Sequence, residues 1–332
     1  MPWLTWKPNT GTASGRCADW GTLAGVSALA FTLLALVLAG PVPALLARAA
    51  WPMRAPRAAV VLWQAVALAA VLSAFSAGLA IVARLFVPAA DGRPTFNPAA
   101  QIDALGWPIW LSALLVLAIT VLIGARLVAA IAQVGIGTRR RRARHRTLVD
   151  LLADRPRELG GVRVLDVDER LAYCLPGMRS RVVLSRGTLS ALSAPELAAV
   201  LQHERAHLRA RHDLVLEAFI AVHTAFPRFV RSGSALGAVR LLVELLADDA
   251  AVRIAGPQHL ARALVACARG PIPAGALAVG GPTTVIRVRR LSGPPNSVSA
   301  AIAAYGAAMA VLVIPTIAVA VPWLTELQRL WP

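Results

Sequence analysis

Leu201-Gln202-His203-Glu204-Arg205-Ala206-His207-Leu208-Arg209-Ala210-Arg211-His212-Asp213 is the stretch on which the reading of this chain turns. Within it, His203-Glu204-Arg205-Ala206-His207 forms an HExxH pattern. Residues four apart on an α-helix are separated by about 40° around the axis and about 6 Å along it. Both imidazoles therefore aim at one point, at a spacing that suits a single Zn²⁺ ion. Glu204 stands beside His203, where its carboxylate can take a proton from water next to that ion. A surface helix with two solvated histidines would show the same letters, so the flanks must decide. Ser193-Ala194-Pro195-Glu196 has the form of a capping box with proline just inside the helix start. Leu197, Ala198, Val200 and Leu201 supply an apolar side, and helix-forming residues run on to Phe226 before Pro227. The expectation is one continuous helix with the motif buried in its middle.

Further out, the composition changes character. The 332 residues are 57% hydrophobic, and the mean hydropathy is +0.63. A single soluble domain is less apolar than this, and several membrane helices are implied. Four apolar stretches stand out, at residues 23–38, 58–87, 107–134 and 298–321. Arg48, Arg54 and Arg57 lie between the first two. Arg139, Arg140, Arg141, Arg142, Arg144 and Arg146 follow the third, and Arg287, Arg289 and Arg290 precede the fourth. The tendency of arginine to stay on the cytoplasmic side puts all three clusters there and both termini outside. Asp91 and Asp103 set against Arg93 fit an external loop between spans two and three. Cleavage after the first span would leave Arg48, Arg54 and Arg57 outside, so that span is expected to stay as an anchor. The implied plan is a multi-pass protein of a bacterial plasma membrane. It has a three-span region (1–138), a cytoplasmic domain (139–297), and a final span with a short external tail (298–332).

The net charge of +17 is explained by these span-flanking arginines and their contact with anionic lipid. Direct binding of nucleic acid is not expected. Cys17, Cys174 and Cys267 are scattered and offer neither a disulfide framework nor a metal spacing.

Inside the cytoplasmic region, residues 146–152 suggest a short helix. Val162-Arg163-Val164-Leu165-Asp166-Val167 alternates like a strand, and Leu171-Ala172-Tyr173-Cys174-Leu175 and Arg181-Val182-Val183-Leu184-Ser185 suggest two more. Arg181, Val182, Val183, Leu184 and Ser185 are expected to form an edge strand that aligns an extended substrate. The motif helix follows, then helices over 240–254 and 258–268, with a loop over 270–295. A small sheet followed by helices is an α+β arrangement of zincin type.

A catalytic zinc takes three protein ligands and keeps a position for water. Glu244 and Asp248 lie four apart on the next helix, and Leu241, Leu242, Leu245 and Leu246 surround Glu244. A carboxylate so placed needs a partner. Glu244 is the expected third ligand, with Asp248 accepting the far N–H of a ligand histidine. Asp213 is the rival, ten residues after His203 as in HExxHxxGxxH sites. Ala210 stands where that pattern needs glycine, and on a continuous helix Asp213 lies about 9 Å beyond His207. His212 and His223 fall off the metal face, and His212 is expected at the surface.

Pro176-Gly177, the 181–185 strand, His203-Glu204-Arg205-Ala206-His207, Arg211-His212-Asp213 and Glu244-x-x-x-Asp248 together resemble the BlaR/MecR-type integral-membrane zinc metallopeptidases. The layout of four spans, with the protease domain between spans three and four, is similar too. The resemblance covers nearly the whole chain. It implies one Zn²⁺ per chain held by His203, His207 and Glu244, Glu204 as base, and Asp248 supporting a ligand histidine. It also implies cleavage of a cytoplasmic BlaI/MecI-like transcriptional repressor, or of the chain itself, in signal transduction, with a homodimer allowed. Lys7 is the sole lysine, so no S-x-x-K motif exists. The chain is therefore expected to be a short form without the external penicillin-binding sensor. The other readings are a membrane protease for CAAX-type or damaged membrane proteins, and a non-catalytic sensor clipped by zinc. A structural clip has no use for Glu204.

Overall fold

Long apolar runs with proline only near their ends become the long helices. The computed structural model describes residues 13–82, 87–88, 94–95, 97–156, 159–177, 180–227, 232–268, 277–278, 283–321 and 324–325. In chain order come α1 (Ala13–Ala39), α2 (Pro41–Arg48), α3 (Pro56–Val82), strands β1 (Val87–Pro88) and β2 (Pro94–Thr95), α4 (Pro98–Leu105) and α5 (Trp107–Leu152). Then follow β3 (Val162–Leu165), β4 (Ala172–Leu175), β5 (Arg181–Ser185), α6 (Arg186–Ala191), α7 (Ala194–Arg209) and α8 (His212–Ala225). The last are α9 (Ser232–Ala255), α10 (Pro257–Cys267), β6 (Leu277–Ala278), α11 (Thr284–Leu291) and α12 (Val298–Pro315).

Among the described residues, four helical stretches are long and apolar enough to cross a membrane: Val26–Arg48, Pro56–Val82, Trp107–Leu152 and Val298–Ala320. They coincide with the four runs read from hydropathy. The described part of the second helix runs to Val82, and Val87 already belongs to β1; residues 83–86 lie outside the described part. So do Lys7, most of the loop between spans two and three around Asp91 and Arg93, and residues 326–332 of the expected tail.

The short helix expected at 146–152 is instead the end of α5. This helix runs for 46 residues without interruption, a length of about 69 Å, against a hydrocarbon core of about 30 Å. No proline occurs between Pro108 and Pro156, so nothing in the basic run stops it.

The chain divides into two units. One comprises Met1–Val42, Gln64–Ala125 and Ala307–Pro332, the other Pro43–Trp63 and Arg126–Gly306. In the first, α3 and α5 meet through Val82 and Ala113, with Trp110 and Leu114 against them. Trp110 donates its indole N–H to Gln101 on α4 at 2.8 Å.

The second unit is built on a four-stranded sheet of order β3-β5-β4-β6. β5 runs parallel to β3 and antiparallel to β4, and β4 pairs antiparallel with β6. Alternate side chains face opposite ways along each strand. Val162, Val164, Ala172, Val182 and Leu184 point to one face, against Ala199 and Val200 of α7, Ala251 of α9 and Leu260 and Leu264 of α10. Tyr173, Leu175 and Val183 point to the other, against Val149 of α5. The expected edge strand is thus corrected. Arg181–Ser185 is interior, paired on both sides, and has no free backbone for a substrate. The pairing order depends on contacts far apart in sequence, and alternation alone does not encode it.

α7 opens with the expected capping box, in which the Ser193 N–H donates to Glu196 Oε2 at 2.9 Å. It does not continue to Phe226. The chain breaks after Arg209, and Arg211 adopts a left-handed conformation with φ 51° before α8 begins. The break turns His212 and Asp213 inward, and both are buried. A non-glycine residue in this conformation costs about 1–2 kcal/mol, and glycine does not bear that cost. Arg211→Gly is expected to raise the melting temperature in detergent by an amount worth roughly 1 kcal/mol, and Arg211→Val to lower it by at least as much. Equal melting of both variants would show that the break carries no strain.

Candidate metal centre

α7 and α9 pack side by side, and their facing residues form the centre. His203 and His207 come from α7, Glu244 and Asp248 from α9. His203, His207 and Asp248 are buried. Ligand atoms of His203, His207 and Glu244 all lie within 4.8 Å of one another. His203 Nε2 is 3.2 Å from His207 Nε2. Glu244 places Oε2 3.4 Å from His203 Nε2 and Oε1 3.5 Å from His207 Nε2. Two ligands held at about 2.05 Å from a tetrahedral zinc lie about 3.3 Å apart. The three side chains therefore fit one zinc ion.

The far nitrogen of each imidazole also has a partner. His203 Nδ1 is 3.0 Å from Asp248 Oδ1, and His207 Nδ1 is 3.1 Å from His212 Nδ1. Such contacts fix ring orientation. His212 was expected at the surface; the turn at Arg211 brings it beneath His207 instead. Asp213 does not join the cluster. Its Oδ2 lies 3.1 Å from Arg142 on α5, and the same guanidinium is 2.7 Å from Glu217. The helix expected to carry Asp213 beyond His207 is broken at Arg211, yet the Asp213 carboxylate still points away from the histidines, toward Arg142.

Glu204 is fully buried. Neither of its oxygens has a well-formed hydrogen bond among the described residues, although the buried Cys174 thiol of β4 is close enough to interact. Burial pushes the Glu204 carboxyl up to about 7, against a lowering by His203. Burial likewise disfavours charge on the histidines. It takes His207 down to about 3. On His203 burial is outweighed by Asp248 and Glu244, which raise it to about 9. Burial would raise Glu244, but His207, His203 and Arg287 hold it down at about 2. An ionised Glu244 and a neutral His207 are the forms that bind metal.

Arg287 was missed. In the sequence it counts as one of three arginines before the last span, within a Gly- and Pro-rich stretch expected to be loop. That stretch contains α11, which inserts Arg287 until it is 1% exposed. Its Nη1 is 2.9 Å from Glu244 Oε2. Nη2 donates to Asp248 Oδ1 at 2.6 Å and Nε to Asp248 Oδ2 at 2.8 Å. The periodic Thr284-Val285-Ile286-Arg287-Val288 was the available signal, but it is short and flanked by helix breakers. One guanidinium thus holds two of the three carboxylates of α9, Glu244 and Asp248. A lysine offers a point charge in place of this fork. Arg287→Lys is expected to weaken zinc affinity about 10-fold, measured by competition with a chromophoric chelator; unchanged affinity would show that Arg287 does not orient Glu244.

The comparisons agree with the motif region. Residues 139–242 match the family model for Peptidase family M48. The M48 match takes in the basic end of α5, the sheet strands β3 to β5, α7 with its HExxH pattern, and α8. It stops two residues before Glu244, so it bears on the motif helix and not on the third ligand. It supports a metallopeptidase. Comparison with curated proteins and with solved structures found no match.

Proposed function

We propose that the chain is a membrane-embedded zinc endopeptidase that cleaves a cytoplasmic protein, most simply a BlaI/MecI-like repressor or itself, in signal transduction. The observation that carries this reading is the convergence of His203, His207 and Glu244 beside the buried Glu204. His203, His207 and Glu244 would hold Zn²⁺, which when bound polarises a peptide carbonyl and makes water a better nucleophile. Glu204 does the proton work. Its oxygens make no well-formed hydrogen bond among the described residues, and burial strengthens it as a base, so it accepts the proton of the attacking water and passes it to the leaving amine. Asp248 and His212 hold the two imidazoles in orientation. Arg287 balances the charge of Glu244 and Asp248 and fixes both. A zinc clip without catalysis is disfavoured, because a buried carboxylate without a well-formed hydrogen bond costs stability and serves nothing in a purely structural site.

The arginines at 48, 54, 57 and 139–146 favour a cytoplasmic domain with both termini outside. The test combines location and chemistry. A reporter fused at Gly293 is expected to be active only in the cytoplasm, and one at Pro332 only outside. Purified protein is expected to cleave a BlaI/MecI-like repressor, to stop on chelation, and to recover with added zinc. A reversed reporter pattern rules out the cytoplasmic substrate, and cleavage that survives chelation rules out zinc catalysis.

A further inference from the structure

A second feature of α7 and α9 lies outside the metal centre. Between them, an open cavity of about 780 Å³ has His212 in its wall but none of His203, His207 or Glu244. We propose that this cavity binds the headgroup of one anionic phospholipid.

The charge is one-sided. Arg57, Arg209 and Arg253 are exposed around it. No ion pair with a described residue occupies Arg57 or Arg253, and Arg209 donates only to the neutral Gln202, at 3.3 Å. Asp249 is the one carboxylate in the wall among the described residues, and it is already taken. Arg290 lies 2.7 Å from its Oδ1, and the Asn296 amide donates to its Oδ2 at 3.0 Å. Three guanidinium groups therefore face the cavity with no free counter-charge among the described residues.

The position selects the source of the anion. Arg57 is the second residue of α3, and Asn296 stands two residues before α12. Both helices are long and apolar enough to cross a membrane. The rim is therefore set where the chain enters the bilayer, at headgroup depth. Leu246, Ala250 and Ile254 make the α9 wall largely apolar, and Ile254 is 65% exposed. An apolar wall beneath an arginine rim suits a phosphodiester with the start of its acyl chains better than a free phosphate. Basic pockets at the cytoplasmic ends of spans hold anionic headgroups in this way.

The test uses the full chain in detergent with native mass spectrometry, offering phosphatidylglycerol or phosphatidylcholine. Wild type is expected to retain one phosphatidylglycerol in preference to phosphatidylcholine. The combined variant Arg57→Gln, Arg209→Gln and Arg253→Gln is expected to bind it on the order of 100-fold more weakly, from the usual contribution of each basic residue at a lipid surface. Arg139→Gln with Arg140→Gln, exposed on α5 away from the cavity, is expected to leave retention unchanged. Should the triple variant misfold, Ala250→Trp narrows the cavity with all three arginines kept and is expected to abolish retention as well. Equal retention of the two lipids by wild type overturns the proposal. So does undiminished binding after Ala250→Trp, or an equal loss in the α5 variant, which would mark diffuse attraction. Displacement of the lipid by millimolar inorganic phosphate also overturns it, because the ligand would then be the free anion. Retention is read without any measure of proteolysis, so failure here is distinct from failure of the peptidase reading.

Discussion

Replacing Glu204 by Gln is expected to leave zinc in place and to lower proteolysis by about 10²- to 10⁴-fold, the usual range for losing a general base. The two consequences separate because the ligand atoms belong to His203, His207 and Glu244, while Glu204 is a neighbour that makes no well-formed hydrogen bond. Glutamine keeps the shape of the side chain, so the packing of α7 against the sheet is preserved. It cannot take a proton at neutral pH. A stability measurement distinguishes loss of the base from damage to the fold. Burial raises the Glu204 carboxyl to about 7, above the value of an exposed glutamate. Its neutral form is thus favoured in the folded protein. The associated stability is fully present below the unfolded value, and is lost as pH rises through about 7. With zinc stripped by a chelator, the variant should therefore melt higher than wild type at pH 8, and the difference should shrink toward acidic pH. Zinc content, repressor cleavage and melting would be measured on the same preparations. Undiminished cleavage by the variant would remove Glu204 from the mechanism.

What could be read from the sequence was local, and what could not was tertiary. Four helix-length apolar runs, the capping box at Ser193 and Glu196, and three strand segments, one of them alternating, are written in neighbouring residues, and each is present in the structure. The facing of Glu244 and Asp248 toward the two histidines followed from helical spacing and from the leucines around Glu244. The break at Arg211 carries no glycine or proline. It is set by what it allows, namely burial of His212 against His207 and of Asp213 against Arg142, and such gains are invisible in a helix-forming stretch. The same holds for Arg287. As a charge near a span it suggests topology, and only α11 reveals that it reaches the carboxylates of α9. The interior place of β5 is likewise a matter of which strand pairs with which.

Glu244→Ala is expected to abolish zinc retention, while Asp213→Ala retains it. A three-ligand site that loses its one carboxylate keeps two imidazoles and no negative charge to offset the ion. The burial around the centre makes that shortfall worse, because solvent cannot supply the missing screening. The loss should not be confused with unfolding, since Arg287 keeps its two hydrogen bonds to Asp248 when Glu244 is removed. Glu244→Gln provides a second measurement with side-chain volume conserved, and should also lose zinc, because an amide is a poor substitute for an ionised carboxylate. Asp248→Ala removes the partner 3.0 Å from His203 Nδ1 and should weaken zinc binding about 10- to 100-fold without abolishing it. Asp213 is spared for a reason that only the broken helix explains: its carboxylate faces Arg142 at 3.1 Å, not the histidines. Its loss should lower the melting temperature, because Arg142 is left with Glu217 alone, and should leave the metal in place. Zinc content after exhaustive dialysis in detergent orders the four variants. If Asp213→Ala loses zinc while Glu244→Ala keeps it, the third ligand comes from α8, and the pairing of α7 with α9 is not what builds the site.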